Sequence, residues 1–213
     1  MVTSLRATVK NAVIDRIPGV LRRGPATVKR IALTFDDGPD EQTPALLELL
    51  DDLGVPATFF LCGVHATEHP DLVREYLRRG HQIANHGYDH TRFSKLGRKA
   101  LLDQLSRTDV AIGGQATGKL WVRPPHGAFD TTSLISMRTA GYTVAMWSVD
   151  SLDHTDNDPA SLAERCGPAN VGPGDVLLFH EGQPWTREAL PRIVASLHAS
   201  GLECVTMHDL FAR

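Results

Sequence analysis

Two adjacent carboxylates, Asp36 and Asp37, stand between a short apolar run at 31–33 and a glycine–proline pair. The apolar run is typical of a buried strand, and glycine followed by proline ends it. α/β folds place their chemistry at the carboxyl ends of strands. Because the backbone bends where a strand ends, both carboxylates can point into one pocket, although neighbours on a regular strand face opposite ways. The pair alone also suits two solvated acids at a turn.

A histidine pair, His86 and His90, follows the third predicted strand in the segment NHGYDH at 85–90. A separation of four residues is one helical turn, so both imidazoles can face one point. By itself such a pair is more often a surface feature. Two imidazoles and one carboxylate, however, form a set that holds catalytic zinc and leaves a position open for water. At the same end of the sheet as Asp36 and Asp37, the pair predicts a metal site.

Another motif follows the fourth predicted strand, where residues 123–127 read RPPHG. Two prolines and a glycine fix an irregular backbone, which can direct an amide N–H of the segment into the pocket. After the fifth strand, residues 150–154 read DSLDH, and an acid there could pair with Arg123. Each motif alone has a plainer explanation as a turn or a solvated acid.

The last motif, LLFHE at 177–181, follows the sixth predicted strand. Its histidine, His180, can serve as a proton donor, although a lone histidine is also common in a protein core. Five polar motifs at the same topological position are difficult to explain as surface decoration, and together they indicate an active site.

From residue 31 onward, segments with strand and helix patterns alternate, and several helices end at a glycine. The predicted strands are 31–35, 57–62, 82–85, 120–123, 142–149, 175–179 and 202–205. The predicted helices are 43–53, 70–79, 98–112, 131–140, 160–166 and 187–200, with a short helix at the end. This alternation indicates parallel strands joined by crossover helices. About seven units can close on themselves, so we expect a single α/β domain folded as a distorted (β/α)7-8 barrel rather than an open sheet.

Composition and charge exclude several other classes of protein. A chain of 213 residues with 42% hydrophobic and 22% charged residues suits one globular domain. A net charge of −3 and a pI near 6.3 give no reason to expect a nucleic-acid partner. No apolar run is long enough to span a membrane.

The first 28 residues are predicted to form a helix and a connector ahead of the catalytic domain at 29–213. Residues 2–17 have apolar positions at helical spacing with basic residues among them. We expect this helix to pack across one end of the domain, and weak contact with a membrane surface is the alternative. The three cysteines, Cys62, Cys166 and Cys204, are predicted to be reduced. With no signal-peptide pattern at the start, we expect a cytoplasmic protein, or an extracellular one if a leader has been removed.

In order and spacing, the five motifs resemble those of the polysaccharide deacetylases, also called the NodB-homology domain or carbohydrate esterase family 4. The resemblance runs from about residue 29 to the C-terminus. It implies a distorted (β/α) barrel and a divalent metal, usually zinc, with cobalt or another divalent ion as alternatives. It also implies hydrolysis of N-acetyl groups on the amino sugars of an oligo- or polysaccharide, with release of acetate.

The resemblance assigns a role to ten residues. They are Asp36 as general base, Asp37, His86 and His90 as metal ligands, Arg123 to orient the base, Asp153 to hold Arg123, His126 to offer its backbone N–H to the oxyanion, Leu178 and His154 at the acetyl pocket, and His180 as general acid.

Two positions depart from the pattern of the family. His126 stands where an aromatic residue, usually tyrosine, is expected, and His154 stands where tryptophan is usual. A histidine at 126 still has a backbone N–H, whereas the loss of an indole wall at 154 bears on substrate choice. The alternatives are a deformylase or deacylase of a lipid-linked or other acylated sugar, an O-acetyl esterase and an inactive sugar-binding relic. The lack of a carbohydrate-binding appendage favours a short or soluble substrate.

Overall fold

A computed structural model describes residues 17–114 and 120–212, and these residues alternate between strands and helices. The strands are β1 Val20–Leu21, β2 Arg30–Asp36, β3 Thr58–Leu61, β4 Gln82–Asn85, β5 Leu120–Val122, β6 Tyr142–Ala145, β7 Val149–Asp150, β8 Val176–His180 and β9 Glu203–Val205. The helices are α1 Thr43–Leu53, α2 Gly63–Glu68, α3 Pro70–Arg78, α4 Arg98–Ala111, α5 Thr131–Thr139, α6 Pro159–Arg165, α7 Pro184–Ala199 and α8 Met207–Leu210. Two short 3₁₀ turns, Phe93–Lys95 and Pro125–Gly127, lie near the candidate active site.

The described strands form one parallel sheet in the order β1-β6-β5-β4-β3-β2-β8-β7, and β9 pairs with the first half of β2. Near the two ends of this order, a single antiparallel bridge joins Arg23 to Asp175. The sheet curls with its helices outside into a distorted (β/α) barrel, as the sequence predicted. Strand β2 pairs with three strands, β3, β8 and β9, and its last residue, Asp36, is in register with Phe60 of β3 and His180 of β8.

Side chains alternate along β2, as they must on a strand. Ile31, Leu33 and Phe35 face the helices and are fully buried in the largest core cluster, which also takes in side chains of α1, α3 and α7. Ala32 belongs instead to the cluster inside the barrel. Asp36, two pleats further along the same face, therefore lies inside the barrel.

One end of the barrel is closed by α8. Met207 and Leu210 pack among the interior side chains, and the Met207 backbone N–H donates to Thr58 Oγ1 at 2.9 Å. The neighbouring N–H of His208 donates to Gln82 Oε1 at 2.8 Å. Because apolar and hydrogen-bonded groups fill this end, the opposite end, where the strands finish, is the end that remains accessible.

Three local features differ from the prediction. The strand predicted at 142–149 is divided into β6 and β7. The Met146 N–H donates to the carbonyl of Leu21 in β1, whereas the Ser148 N–H donates to the carbonyl of Val176 in β8. Strand β1 and helix α2, both short, were not predicted. The helix predicted at 2–17 is not among these differences, because residues 2–16 lie outside the described residues and the prediction is not tested.

The three cysteines are free and buried. Among the helices in the described ranges, none is long and apolar enough to cross a membrane.

Candidate active site

Asp36 is 3% exposed and lies inside the barrel at the carboxyl end of β2. Its Oδ1 accepts a hydrogen bond of 2.6 Å from Arg123 Nη1, while its Oδ2 lies 3.6 Å from Nε2 of His86. One oxygen is therefore held by a cation and the other faces the histidine. This geometry suits a base that must present a single oxygen in a fixed direction.

Arg123 is fully buried, which is rare for arginine unless it is well paired. Its guanidinium lies 4.0 Å above the centre of the Phe60 ring. Besides Asp36, it donates to Thr34 Oγ1 at 2.9 Å. The prediction that Asp153 holds Arg123 is wrong, because Asp153 bonds His180 and Thr186 instead, and Arg123 is held by Thr34, Asp36 and backbone carbonyls of the β6 end.

Asp37 has a left-handed backbone, with φ of 77°, which turns its side chain towards the histidine motif. Its Oδ1 lies 3.4 Å from Nε2 of His86 and 3.1 Å from Nε2 of His90. Among the described residues this buried oxygen has no hydrogen-bond partner. A buried carboxylate oxygen left without a donor is costly unless a cation fills the place.

The tautomer of His86 agrees with a metal at this place. Its Nδ1 lies 2.8 Å from the carbonyl oxygen of Arg123, and a carbonyl can only accept, so Nδ1 carries the proton. Nε2 then offers a lone pair towards Asp37. A ligating histidine usually fixes its ring in this way, by donating its other nitrogen to a carbonyl. Asp37, His86 and His90, whose ligand atoms lie within 4.8 Å of one another, therefore fit a divalent metal.

His86 and His90 come together by a route that differs from the predicted helical turn. Residues 86–90 form a loop, in which Gly87 and His90 have φ of 79° and 60°. Asn85 Oδ1 accepts from the Gly87 N–H, and Gln104 of α4 accepts from the next two N–H groups. These side chains hold the loop, and the two imidazole centres lie 5.2 Å apart.

His180 is oriented by Asp153. Its Nδ1 lies 2.7 Å from Asp153 Oδ1, and its backbone N–H donates to Oδ2 at 2.8 Å. Burial alone would lower the pKa of His180, but the bond to Asp153 and the nearby carboxylates outweigh it and raise the pKa to about 9. At neutral pH the ring is therefore protonated, as a proton donor must be.

Asp153 is itself held by α7. Thr186 Oγ1 donates to its Oδ2 at 2.8 Å, and Trp185 Nε1 donates to its backbone carbonyl at 2.7 Å. Asp153 does not itself line the cavity, and it acts there through His180.

A cavity of about 460 Å³ joins these residues. Eight of the ten predicted site residues line it, namely Asp36, Asp37, His86, His90, His126, His154, Leu178 and His180, and Arg123 and Asp153 lie behind it. His126 and His154 are on the exposed rim. The His126 ring centre is 4.3 Å from that of His90, and the His154 ring centre is 5.0 Å from that of His180.

Four residues of the site were not found from the sequence. Trp147 and Arg92 line the cavity. Thr34 accepts a hydrogen bond from Arg123, as Asp36 does. Glu181 packs behind the loop that follows Asp37. The sequence placed Trp147 inside the strand predicted at 142–149, and only the break between β6 and β7 puts it at a strand end. The other three carry no pattern of their own, because each acts through a contact with a distant part of the chain.

Glu181 is fully enclosed by its partners. Tyr76 Oη and Thr43 Oγ1 donate to it at 2.8 and 2.6 Å. A side chain on Gly38 would collide with its carboxylate, which shows how closely the loop after Asp37 packs on it. Burial raises the pKa of Glu181 to about 8, so this carboxyl is mainly protonated at neutral pH.

Two carboxylates and three histidines at the carboxyl ends of the strands provide the metal ligands, the base and the acid that a metal-dependent hydrolase needs. Comparison with known proteins gives the family. A family model described as "Polysaccharide deacetylase" matches residues 23–145. The chain is 34% identical to a peptidoglycan-N-acetylglucosamine deacetylase of Listeria monocytogenes over 190 residues, which are 88% of this chain and 40% of the relative.

A chitooligosaccharide deacetylase of Sinorhizobium fredii is 32% identical over 80% of this chain and 86% of its own length. The fold of the Bc1960 peptidoglycan N-acetylglucosamine deacetylase superposes with a TM-score of 0.86 at 30% identity, over 91% of this chain and 92% of that one. The chain belongs to the polysaccharide deacetylase family. It spans 40% of the length of the Listeria relative.

Proposed function

We propose that this chain is a metal-dependent hydrolase that removes N-acetyl groups from amino sugars and releases acetate. The observation that carries the proposal is the position of Asp36 and His180. They are register partners on neighbouring strands, and both line the cavity that holds Asp37, His86 and His90. A base and an acid thus face one substrate-sized space beside a set of metal ligands.

Asp37, His86 and His90 would hold the metal, and we propose zinc. When bound there, a divalent ion polarises an amide carbonyl and lowers the pKa of a bound water towards about 7. Residues of the chain itself carry out the proton transfers. Asp36 takes a proton from the attacking water at Oδ2, since Arg123 holds Oδ1.

His180 completes the reaction. Asp153 binds its Nδ1, so Nε2 is the nitrogen that gives a proton to the departing amine. The backbone N–H of His126 donates to the carbonyl oxygen as that oxygen gains charge, and Leu178 lines the space for the acetyl methyl. The products are acetate and an amino sugar with a free amine, and the water is divided between them.

We propose an oligosaccharide with N-acetylated amino sugars, of the peptidoglycan or chitin type, as the substrate. The relatives named above are described as deacetylases of peptidoglycan N-acetylglucosamine and of chitooligosaccharides. A deformylase acting on a lipid-linked sugar remains the alternative, and contact of residues 2–17 with a membrane surface would favour it.

The test is to incubate the zinc-loaded protein with chitooligosaccharides, peptidoglycan fragments, acetylated xylan and a formylated amino sugar, and to identify products by mass spectrometry. We expect acetyl groups to be replaced by hydrogen in the first two substrates only. Asp36→Asn is the matched control. It keeps the shape of the side chain and removes the base, which costs about 10² to 10⁴ in rate. Release of formate alone would replace the proposal by its alternative.

A further inference from the structure

A second group of one carboxylate and two imidazoles lies at the same cavity as the first. Asp153, His154 and His180 each offer a ligand atom, and these atoms lie within 4.8 Å of one another. The ring centres of His154 and His180 are 5.0 Å apart, compared with 5.2 Å for His86 and His90. When two imidazoles bind one tetrahedral ion at about 2.0–2.1 Å, their ring centres are roughly 5 Å apart. Both pairs meet this spacing.

The carboxylates of the two groups differ in the hydrogen bonds that they already accept. In the second group, Asp153 already accepts from Nδ1 and the backbone N–H of His180 and from Thr186 Oγ1. Its carboxylate therefore supports a ligand, as a partner of a metal-bound histidine commonly does. Asp153 binds Nδ1 of His180, so an ion that binds Nε2 must displace the proton there and release it to solvent. The His154 ring is exposed at the rim.

We propose that His154 and His180 bind a second divalent ion, such as Zn²⁺, at the mouth of the cavity, and that this ion inhibits the enzyme. With two protein ligands in place of three, the second site binds more weakly and fills only when metal is in excess. Inhibition follows because the ion occupies Nε2 of His180, the nitrogen that carries the proton for the leaving amine. The inhibition rests on the proposed function, whereas binding of the second ion does not.

The site depends on His154, where the resemblance leads us to expect tryptophan. An indole has no lone pair to offer, so a tryptophan at position 154 would leave His180 as a single ligand.

The experiment measures bound metal and activity against the same series of free zinc concentrations. Wild-type protein is dialysed to equilibrium in a buffer without chelator, and its zinc content is determined by elemental analysis. We expect about one ion per chain at low zinc and a second at higher zinc, with activity falling as the second ion binds. His154→Gln should stop at one ion. Loss of a direct ligand should cost at least the tenfold or so seen for supporting residues, and raise the inhibitory zinc concentration accordingly.

Two further variants fix the place of the second ion. His198→Gln removes an exposed histidine near the end of α7 and should match wild type in both measurements. His126→Gln removes the ring beside His90 and should keep the second ion. The proposal is overturned if wild type binds only one ion at inhibitory zinc, if His154→Gln still takes up two, or if His126→Gln is the variant that loses the second. If no substrate is hydrolysed at all, the zinc content alone still decides whether the site exists.

Discussion

The two carboxylate–histidine groups of the cavity contain the same residue types at nearly the same ring spacing, yet their carboxylates differ. Asp37 presents a buried oxygen without a hydrogen-bond donor among the described residues. Asp153 accepts three hydrogen bonds, two from His180 and one from Thr186. A carboxylate that lacks donors suits a cation, whereas one that is fully bonded holds a neighbouring ring in place. Residue type and spacing therefore do not separate a metal ligand from a positioning residue, and the hydrogen bonds around the carboxylate do.

The largest expected effect is on metal content when Asp37 is changed. Asp37→Asn removes the charge from the only carboxylate in the first group, so metal affinity should fall by more than about 100-fold, the upper range for residues that merely support a ligand. Activity should fall with it. Elemental analysis after gel filtration measures the loss. Asp153→Asn is the matched variant and should keep about one ion. The comparison between the two groups fails if Asp153→Asn loses this ion and Asp37→Asn keeps it.

The next effect separates proton transfer from metal binding. His180→Gln should retain the metal of the first group and lose about 10² to 10⁴ in kcat, because the proton donor is gone. Steady-state rates together with metal content test this. Full loss of metal from the variant would place His180 among the ligands and merge the two groups into one site.

A smaller effect concerns pH. His180 has a pKa raised to about 9, so the donor is protonated below this pH, and kcat should fall as pH rises through about 9. Asp153→Asn removes the main favourable partner of the imidazolium, and the alkaline limb should move to lower pH. Each unit by which the pKa of His180 falls below 7 should cost about tenfold in kcat at pH 7, because the protonated fraction falls by that factor.

Thr186→Val is the control for that shift. It removes one hydrogen bond from Asp153 Oδ2 but leaves the negative charge and the bond of Oδ1 to the His180 ring in place. Its alkaline limb should stay close to that of wild type. An unchanged limb in Asp153→Asn would show that some other group sets the alkaline pKa.

The loop of Asp37 packs on a second buried carboxyl group, that of Glu181. This group should make the free energy of unfolding depend on pH. Burial raises the pKa of Glu181, behind the Asp37 loop, to about 8, while an unfolded glutamate has a pKa of about 4.3. Between about pH 5 and 8 the folded chain keeps a proton that the unfolded chain releases, so the free energy of unfolding should decrease as pH rises. The slope has an upper limit of about 1.4 kcal/mol per pH unit.

Glu181→Gln cannot ionise and should flatten this dependence, measured by urea unfolding from pH 5 to 8. Glu41→Gln, at an exposed position, should leave the slope as it is in wild type. Equal slopes in wild type and Glu181→Gln would mean that Glu181 is ionised in the folded protein at neutral pH.

The sequence predicted the parallel barrel because each strand and helix has its own pattern, and it predicted the residues of the cavity because they follow strand ends. It did not predict which acidic side chain pairs with which basic one. Asp153 reaches His180 rather than Arg123 because Leu152 takes a left-handed backbone, with φ of 59°. Thr186 of α7 also donates a hydrogen bond to the Asp153 carboxylate and holds it there. Contacts of this kind join segments far apart in the chain and leave no local pattern. The helical turn expected at 86–90 was wrong for the same reason, since Gln104 of α4 holds that loop.

The smallest expected effect is on substrate choice at His154. An indole is a larger apolar wall than an imidazole, and an aromatic contact of this kind contributes about 0.5–1.5 kcal/mol, or roughly two- to tenfold in kcat/KM. His154→Trp should therefore keep the metal of the first group and favour simple N-acetylated oligosaccharides over larger or more polar ones by that factor. The measurement is the ratio of kcat/KM between chitotetraose and a peptidoglycan fragment. No change in the ratio would mean that the ring faces away from bound sugar. If His154→Gln abolishes turnover of every substrate, His154 takes part in the chemistry, and the assignment of His180 as the proton donor is wrong.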